Sequence, residues 1–327
     1  MFSSWRQRVL QLRRLWRLPG ATEEMRRATI EQFQAMHRTT EAMHRTTIEQ
    51  FQAMHRTTGD QVNAILRMVP QHLEPLEPLT HASLGLHRAR LQERYGTIEI
   101  ITDHPVAVES PDHLVPWGTA QDNSRNQRFN ARLIAMVPHD RLSVLDLGCS
   151  GGGQVRSFIE QGYLAVGVEG SDYSARRLRA EWSTIPDYLF TADVTKPFRI
   201  RTTRGSDALQ FGVITMWEVI EHIAERDMPE LFANIDAHLQ PGGLVIMSVS
   251  PNSDIIEGVE LHQTIQPKPW WEAFFTANGW IDHPGIVTYF GEDFVRGGTN
   301  APRSFHFVLS RAGERPLLAQ RLQHLAS

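Results

Sequence analysis

The chain has 327 residues, of which 41% are hydrophobic and 21% charged, so it can bury a sizeable core and is not disordered throughout. Its net charge of −4 disfavours a general nucleic-acid binder, and its single cysteine excludes an intrachain disulfide and a multi-cysteine zinc site. No apolar run approaches the roughly 20 residues that span a bilayer. We therefore expect a cytoplasmic protein.

Residues 1–69 are predicted to form a helical oligomerisation arm. The segment Ile30–Thr40 recurs unchanged as Ile48–Thr58, and 18 residues separate the two copies. This distance is five turns of an α-helix at about 3.6 residues per turn, so the apolar side chains fall on one stripe. Such a stripe needs a partner. We expect a homo-oligomeric coiled coil, and the alternative is a helix folded back onto its own globular domain.

Residues 2–18 are predicted to form a separate basic amphipathic helix within this arm. Five arginines lie beside an apolar face that includes Trp5 and Trp16. This pattern is typical of helices that lie on anionic lipid, which gives the protein a possible peripheral contact with a membrane. It fits the start of the helical bundle equally well.

Residues 70–120 are predicted to be a linker and connecting segment. Leu73–Pro78 is spaced by prolines, which favours an extended conformation. A further helix is predicted over 81–95, and short irregular or extended structure over 97–117. The polar stretch Asp122–Asn130 leads into another helix, and we expect this stretch to flank a ligand site.

Strands and helices alternate over residues 121–312, which predicts an α/β domain, and 313–327 is a terminal helix or tail. The apolar strand Ser143–Cys149 is followed by a glycine loop, an amphipathic helix and a second strand, Tyr163–Glu169. This βαβ unit is typical of Rossmann-like sheets, which bind ligands at the carboxyl end of the first strand. An acid at the end of the second strand, here Glu169, can bind the hydroxyls of a ribose.

The loop Asp146–Gly152 identifies the kind of nucleotide site. Its order, D-L-G-C-S-G-G, differs from the G-x-G-x-x-G of NAD sites. It resembles motif I of the class I S-adenosylmethionine-dependent methyltransferases, D-x-G-x-G-x-G, with Ser150 in place of the middle glycine. Glu169, the segment Thr191–Phe198 and the turn Gln240–Gly243 follow in the order of that family. The resemblance implies S-adenosyl-L-methionine as cofactor, bound by Asp146, Gly148, Cys149, Ser150, Gly152, Glu169, Asp193, Val194 and Trp217.

Three further candidate residues follow the predicted fourth strand, Phe211–Glu218. Glu218, Glu221 and His222 stand at i, i+3 and i+4, so on a helix they would share a face. The E-x-x-E-H pattern is similar to one in the ubiquinone-pathway O-methyltransferases and the small-RNA 2′-O-methyltransferases. That resemblance implies a divalent metal, Mg²⁺ or Mn²⁺, with His262 as the candidate fourth ligand and with His222, Glu221 and His262 as catalytic residues.

Two other interpretations of the E-x-x-E-H pattern stay open at this point. In the first, His222 is a metal-free general base whose pKa is held near neutral by Glu221. In the second, Glu218 and Glu221 are acids at a helix N-terminus, where the helix dipole stabilises them.

The substrate side is predicted to lie within residues 250–300, which are rich in aromatic side chains. The stretch His262–Trp271 resembles one in bacterial methyltransferases that act on sugars or glycans. Trp270 and His262 are candidates for the site, whereas Trp271 and its neighbours at helical spacing are expected in the core. The final strand, Ser304–Leu309, is predicted at the edge of the sheet.

These patterns favour O-methylation of a sugar, a glycan or another hydroxyl-bearing small molecule, with or without help from a metal. One alternative is an RNA ribose or a phenol or quinone acceptor. Residues 71–327 carry a net charge of −9, which disfavours RNA because phosphate contacts need clustered Arg and Lys. Another alternative is a non-catalytic coiled-coil scaffold that binds the cofactor.

Overall fold

The structure is a computed structural model that describes residues 31, 77–205, 208–296, 301 and 303–326. The chain divides into two compact units, Met1–Leu79 and Thr80–Ser327. Apart from residue 31, the predicted coiled coil and basic helix lie outside the described residues and stay predictions. Within the described part of the chain, no helix has both the length and the apolar character needed to cross a bilayer.

The elements of the described chain are these. The strands are β1 (Ile98–Thr102), β2 (Val144–Leu147), β3 (Ala165–Glu169), β4 (Leu189–Thr191), β5 (Phe198–Thr202), β6 (Phe211–Trp217), β7 (Leu239–Val249), β8 (Ile255–Ile256), β9 (Val259–Glu260), β10 (Trp280–Asp282) and β11 (Phe305–Arg311). The α-helices are α1 (Glu77–Tyr95), α2 (Pro111–Leu114), α3 (Trp117–Gln121), α4 (Gln127–Met136), α5 (Gly153–Ile159), α6 (Tyr173–Arg176), α7 (Met228–His238), α8 (Lys268–Ala277) and α9 (Pro284–Phe290). Short 3₁₀ segments cover Ala180–Ser183, Pro186–Tyr188, Ile220–His222, Glu225–Asp227 and Gln320–Ala326.

Seven strands form the central sheet, in the order β10-β11-β7-β6-β2-β3-β4. The strands β4, β3, β2, β6 and β7 pair in parallel, and β11 runs antiparallel to both of its neighbours. Every residue of β2, β3 and β6 is buried, as expected for parallel strands that are covered on both faces. The predicted Rossmann-like α/β fold is therefore confirmed.

The chain leaves β2 toward β3 on one side and returns to pair β6 on the other. Ligands of open α/β sheets bind in the crevice at the carboxyl ends of the strands where the strand order reverses. The loops after β2 and β6 meet at this point. The fold therefore places the predicted glycine loop and the E-x-x-E-H segment side by side.

The position of the final strand differs from the prediction. The final strand, β11, lies inside the sheet, because the short strand β10 pairs with it and forms the edge. Strands β1 and β5 form a separate antiparallel pair, in which Ile100 faces Ile200. The prediction of an edge position for the last strand was therefore wrong.

Helix α1 packs against the sheet domain within the second unit. Its Leu84 and Leu91 are buried in the core. Arg88 donates to the backbone oxygen of Thr184 at 3.0 Å and pairs with Asp187 at 2.5 Å. The helix predicted over 81–95 is thus present and belongs to the folded body.

Candidate ligand site at the switch point of the sheet

A cavity of about 1030 Å³ opens at the carboxyl ends of β2, β3 and β6. Its wall includes the loop after β2, the end of β3, the segment 217–224 and the segment 104–122. This volume is typical of sites for drug-sized or cofactor-sized molecules, which span about 300–1,000 Å³. It is the candidate ligand site of the protein.

The glycine loop runs very close to the loop after β6. Gly148 has a φ of +75°, and a Cβ at this position would lie 2.4 Å from Cγ2 of Val219. A side chain at 148 is therefore disfavoured both by the backbone conformation and by the side chain of Val219. The glycine allows the backbone itself to form part of the cavity wall.

Ser150, at the next motif position, also has a left-handed backbone, with a φ of +47°. This conformation costs about 1–2 kcal/mol in a residue with a side chain. Its backbone N–H donates to Oε2 of Glu169 at 2.7 Å, and its hydroxyl donates to the backbone oxygen of Asp122 at 3.0 Å. Ser150 is therefore well anchored on the cavity wall.

Glu169 is held in one orientation at the end of β3. Its carboxylate accepts hydrogen bonds from the backbone N–H groups of Ser150 and Ser171, the latter at 3.1 Å, and from Oγ1 of Thr119 at 3.4 Å. Burial raises the pKa of this carboxyl, and the two backbone N–H groups oppose that rise. A carboxylate has about four acceptor positions. With three of these positions occupied, Glu169 can still accept from one ligand hydroxyl.

Asp146 lies behind the loop rather than on the cavity wall. Its carboxyl is buried and accepts from Oγ1 of Thr215 at 2.6 Å, which joins β2 to β6. Burial raises the pKa of Asp146 to about 7. Cys149 and Gly152 are likewise buried and are absent from the wall. These three residues support the loop from behind, and their predicted contact with a cofactor stays a prediction.

Asp193, Val194 and Trp217 do lie on the cavity wall. The carboxylate of Asp193 accepts from the backbone N–H and the hydroxyl of Thr195, at 2.9 and 2.6 Å. Trp217 is buried and meets Phe129 edge-to-face, with ring centroids 5.1 Å apart. Its indole N–H has no hydrogen-bond partner among the residues that the structure describes. Within the described chain, this N–H is therefore an unpaired buried donor beside the cavity.

The segment 218–222 is not an α-helix. Glu218 has a φ of +55°, and a single 3₁₀ turn, Ile220–His222, follows it. Oε2 of Glu218 accepts from the hydroxyl of Ser304 at 2.8 Å, and its backbone N–H donates to Oγ of Ser248 at 3.0 Å. The predicted helical arrangement was wrong, and Glu218 does not join the other candidate ligands.

Glu221, His222 and His262 do come together, and we call them the EHH cluster. One ligand atom from each residue lies within 4.8 Å of the others. The two imidazole rings meet edge-to-face with centroids 4.5 Å apart. Glu221 is fully buried; its Oε1 accepts from the backbone N–H of Ser250 at 2.7 Å, whereas Oε2 has no partner within the described chain.

Both histidines of the EHH cluster are oriented by a second contact. Nδ1 of His262 lies 2.5 Å from the backbone oxygen of Asn252, so Nδ1 carries a proton and Nε2 does not when the ring is neutral. Nδ1 of His222 forms an ion pair with Oδ2 of Asp112 at 2.9 Å. Metal-bound histidines almost always have such an outer partner on the other ring nitrogen.

The charges of the EHH cluster perturb one another strongly. Burial, reinforced by the charge of Glu218, raises the pKa of Glu221 to about 8. Burial lowers the pKa of His222, but the contact with Asp112 and the charge of Glu221 outweigh it and bring the pKa to about 9. Burial and the charge of His222 lower the pKa of His262. Near neutral pH the cluster therefore holds protons that a cation would displace.

Asp112 was missed by the sequence analysis, which predicted short irregular or extended structure around it. Its helix α2 begins at Pro111 and is capped by Ser110, whose Oγ accepts from the Asp112 backbone N–H at 3.3 Å. The order Ser-Pro-Asp is a local indication of a helix start. The approach of α2 to His222 depends on the tertiary fold.

The aromatic residues predicted on the substrate side lie elsewhere. Trp270 stacks on Phe274 with ring centroids 5.4 Å apart, and Trp271 and Phe275 are in the core as predicted. None of them lies on the cavity wall. The structure thus places His262 in the site and does not place Trp270 there.

A family model described as "Methyltransferase domain" matches residues 121–292. A ubiquinone biosynthesis O-methyltransferase of Bartonella tribocorum is 27% identical over 124 residues, which are 37% of this chain and 46% of that protein. Its counterpart from Mesorhizobium japonicum is 29% identical over 128 residues, with the same two coverages. The chain therefore spans about half the length of these curated relatives.

Several solved structures are also similar. The match to the DhpI–SAH complex covers 72% of this chain and 98% of the DhpI chain, with 13% identity and a TM-score of 0.38. Another is SAM-bound CalS10, an amino pentose methyltransferase from Micromonospora echinaspora. This match covers 61% of this chain and 96% of the CalS10 chain, with 15% identity and a TM-score of 0.39.

Proposed function

The chain belongs to the methyltransferase domain family, and on that premise we propose that it transfers the methyl group of S-adenosylmethionine to a hydroxyl oxygen of a small molecule or glycan. The family match confirms the resemblance predicted from the motifs. One observation carries the proposed reaction: Glu169 and the imidazoles of His222 and His262 lie on the wall of the same cavity. A nucleoside-binding acid and a polar cluster for the acceptor therefore share one site.

The chain's own residues hold and orient the cofactor in this proposal. Glu169 accepts from a ribose hydroxyl, Asp193 contacts the adenine amine, and the side chain of Trp217 packs against the bound molecule. The cofactor supplies an electrophilic methyl group on its sulfonium. The protein's part is to align the acceptor oxygen with that methyl group, to exclude water and to accept a proton.

The EHH cluster fits a divalent cation that binds the acceptor hydroxyl. Oε2 of Glu221 is buried without a partner among the described residues, and both histidines have the outer contacts typical of ligands. Two imidazoles and one carboxylate suit Mn²⁺ better than Mg²⁺, which prefers an all-oxygen shell. A cation here would lower the pKa of the acceptor hydroxyl.

The metal-free interpretation requires His222 to accept the proton of the hydroxyl itself. A pKa of about 9 leaves most of the imidazole protonated at pH 7, where it cannot act as a base. The same pKa is compatible with a cation, since binding to deprotonated ligands releases protons. We therefore favour the cation.

A phenol or quinone is the second candidate acceptor, and the two ubiquinone biosynthesis O-methyltransferases among the relatives favour it. Trp117 exposes 53% of its surface on the cavity wall, and its ring face can pack on a sugar or on an aromatic acceptor. We further propose homo-oligomerisation through residues 1–69, which light scattering of the full chain tests.

Calorimetry with S-adenosylhomocysteine and methyl-transfer assays with sugar and phenol acceptors test the proposal. We expect binding by the wild type and a loss of about tenfold to a hundredfold in affinity in Glu169→Gln, which removes the charge that strengthens the ribose hydrogen bond. Glu272→Gln is the control, because Glu272 pairs with Lys268 at 2.7 Å and is absent from the cavity wall. Absence of binding by the wild type would refute the proposed cofactor.

Removal of divalent ions tests the cation separately. We expect methyl transfer to stop after exhaustive chelation and to return with Mn²⁺. Full activity of the chelated protein would refute the role of the cation and leave the cofactor assignment unaffected.

A further inference from the structure

The hydroxyl of Ser150 has no counterpart in the glycine that the methyltransferase motif has at this position. A residue with a side chain is disfavoured by the left-handed backbone here, with its φ of +47°. Ser150 is nevertheless buried, so its hydroxyl needs partners inside the protein. The identity of those partners indicates what the side chain does.

The Ser150 hydroxyl connects the glycine loop to the segment 117–122, which comprises α3 and Asp122. Its oxygen lies 3.0 Å from the backbone oxygen of Asp122 and 3.3 Å from that of Thr119, so the hydroxyl hydrogen can donate to either. Arg179 donates to the same hydroxyl at 3.2 Å and to the backbone oxygen of Asp122 at 2.5 Å. These bonds connect the glycine loop and Arg179 to the segment 117–122 and are buried or partly buried.

The segment 117–122 carries groups that face the cavity. Thr119 donates to Glu169, and Asp122 forms an ion pair with Arg296 at 2.6 Å. The backbone of the segment also comes very near the loop, since a Cβ at Gly151 would lie 2.8 Å from the oxygen of Asp122. Displacement of the segment would therefore open one side of the cavity and remove a bond to Glu169.

We propose that the Ser150 hydroxyl is a positioning group that holds the segment 117–122 against the glycine loop and so encloses the nucleoside. A glycine at 150 would remove the strain of the left-handed backbone but would have no hydroxyl for this contact. The inference rests on the proposed function for the identity of the ligand. The attachment of the segment to the loop is independent of it.

Two substitutions separate the hydroxyl from the backbone conformation. Ser150→Gly removes the hydroxyl and relieves the backbone, whereas Ser150→Ala removes the hydroxyl and keeps the strain. We expect both variants to bind S-adenosylhomocysteine about tenfold more weakly, as for the loss of one buried hydrogen bond. We also expect faster amide exchange over 117–122 in both variants. Their melting temperatures should differ, because only Ser150→Gly relieves the backbone strain. An effect of stability alone would instead follow the melting temperatures.

Ser157→Ala is the matched control, because the Ser157 hydroxyl is also buried and joins α4 to α5 through Asn130 at 2.7 Å, away from the cavity. We expect it to lower stability without changing affinity for S-adenosylhomocysteine. Unchanged exchange over 117–122 in both Ser150 variants would overturn the proposal, even if the wild type bound no nucleoside. Wild-type affinity in both variants would overturn it as well. Failure of the wild type to bind, with faster exchange in the variants, would refute the cofactor alone.

Discussion

Replacement of Asp112 by asparagine isolates the charge that stabilises the protonated form of His222. Burial lowers the pKa of His222, and the contact with Asp112 is the largest influence that raises it, from 6.5 to about 9 overall. At about 1.4 kcal/mol per pH unit, this difference corresponds to about 3 kcal/mol. Both side chains are less than one-third exposed, so solvent screens the pair only partly. In Asp112→Asn we expect the pKa of His222 to return most of the way toward 6.5.

The same reasoning gives the pH dependence of stability. Because the pKa of His222 is raised in the folded state, its contribution to stability is complete below pH 6.5 and is lost as the pH rises through about 9. The variant lacks most of this contribution. The gap in unfolding free energy between the two proteins should therefore narrow by about 3 kcal/mol over that range.

Titration of the histidine Cε1–H resonances by NMR measures the pKa directly, with the His222 signal assigned by its disappearance in His222→Gln. Asp172→Asn is the control, because Asp172 lies 4.0 Å from Nδ1 of another histidine, His113, outside the EHH cluster. We also expect Asp112→Asn to bind Mn²⁺ about tenfold to a hundredfold more weakly, since it loses the outer contact of a ligand. A His222 that still titrates near 9 in Asp112→Asn would refute this account.

Three other outcomes are expected. Burial raises the pKa of Asp146 to about 7, so wild-type stability should fall by about 4 kcal/mol between pH 4 and pH 8 relative to Asp146→Asn; parallel curves from denaturant titration would contradict this. Gly148→Ala should cost at least about 2 kcal/mol, and Val219→Ala should restore part of that loss, because the added Cβ meets Val219; additive losses would contradict the contact. Binding of Mn²⁺ to the wild type should change its EPR spectrum. Glu221→Gln should abolish this change and Glu218→Gln should keep it; the reverse result would show that Glu218 is the ligand.

The βαβ unit and several residues of the candidate site could be predicted because their information is local. Alternating apolar segments determine the strands, and the glycine loop marks the end of β2. The predicted residues Gly148, Ser150 and Glu169 all lie on the cavity wall. In a parallel sheet the carboxyl ends of neighbouring strands share one edge, so sequence order was sufficient to bring these residues together.

The arrangement around the EHH cluster could not be predicted in the same way. A helix was expected over 218–222, but Glu218 adopts a left-handed backbone and pairs with Ser304, which is 86 residues further along the chain. Asp112 reaches His222 across 110 residues. Such contacts leave no spacing pattern in a single sequence, because they depend on how loops pack over the sheet.

The residues that complete the site come from segments on both sides of the family match. The matched region, 121–292, contains Glu169 and the whole EHH cluster. Two groups that orient these residues lie outside it, because Thr119 and Asp112 precede the match. Ser304, which holds Glu218 on the cavity wall, follows it. The flanking segments are where this chain sets the orientation of those groups, and hence where we expect its choice of acceptor to be determined.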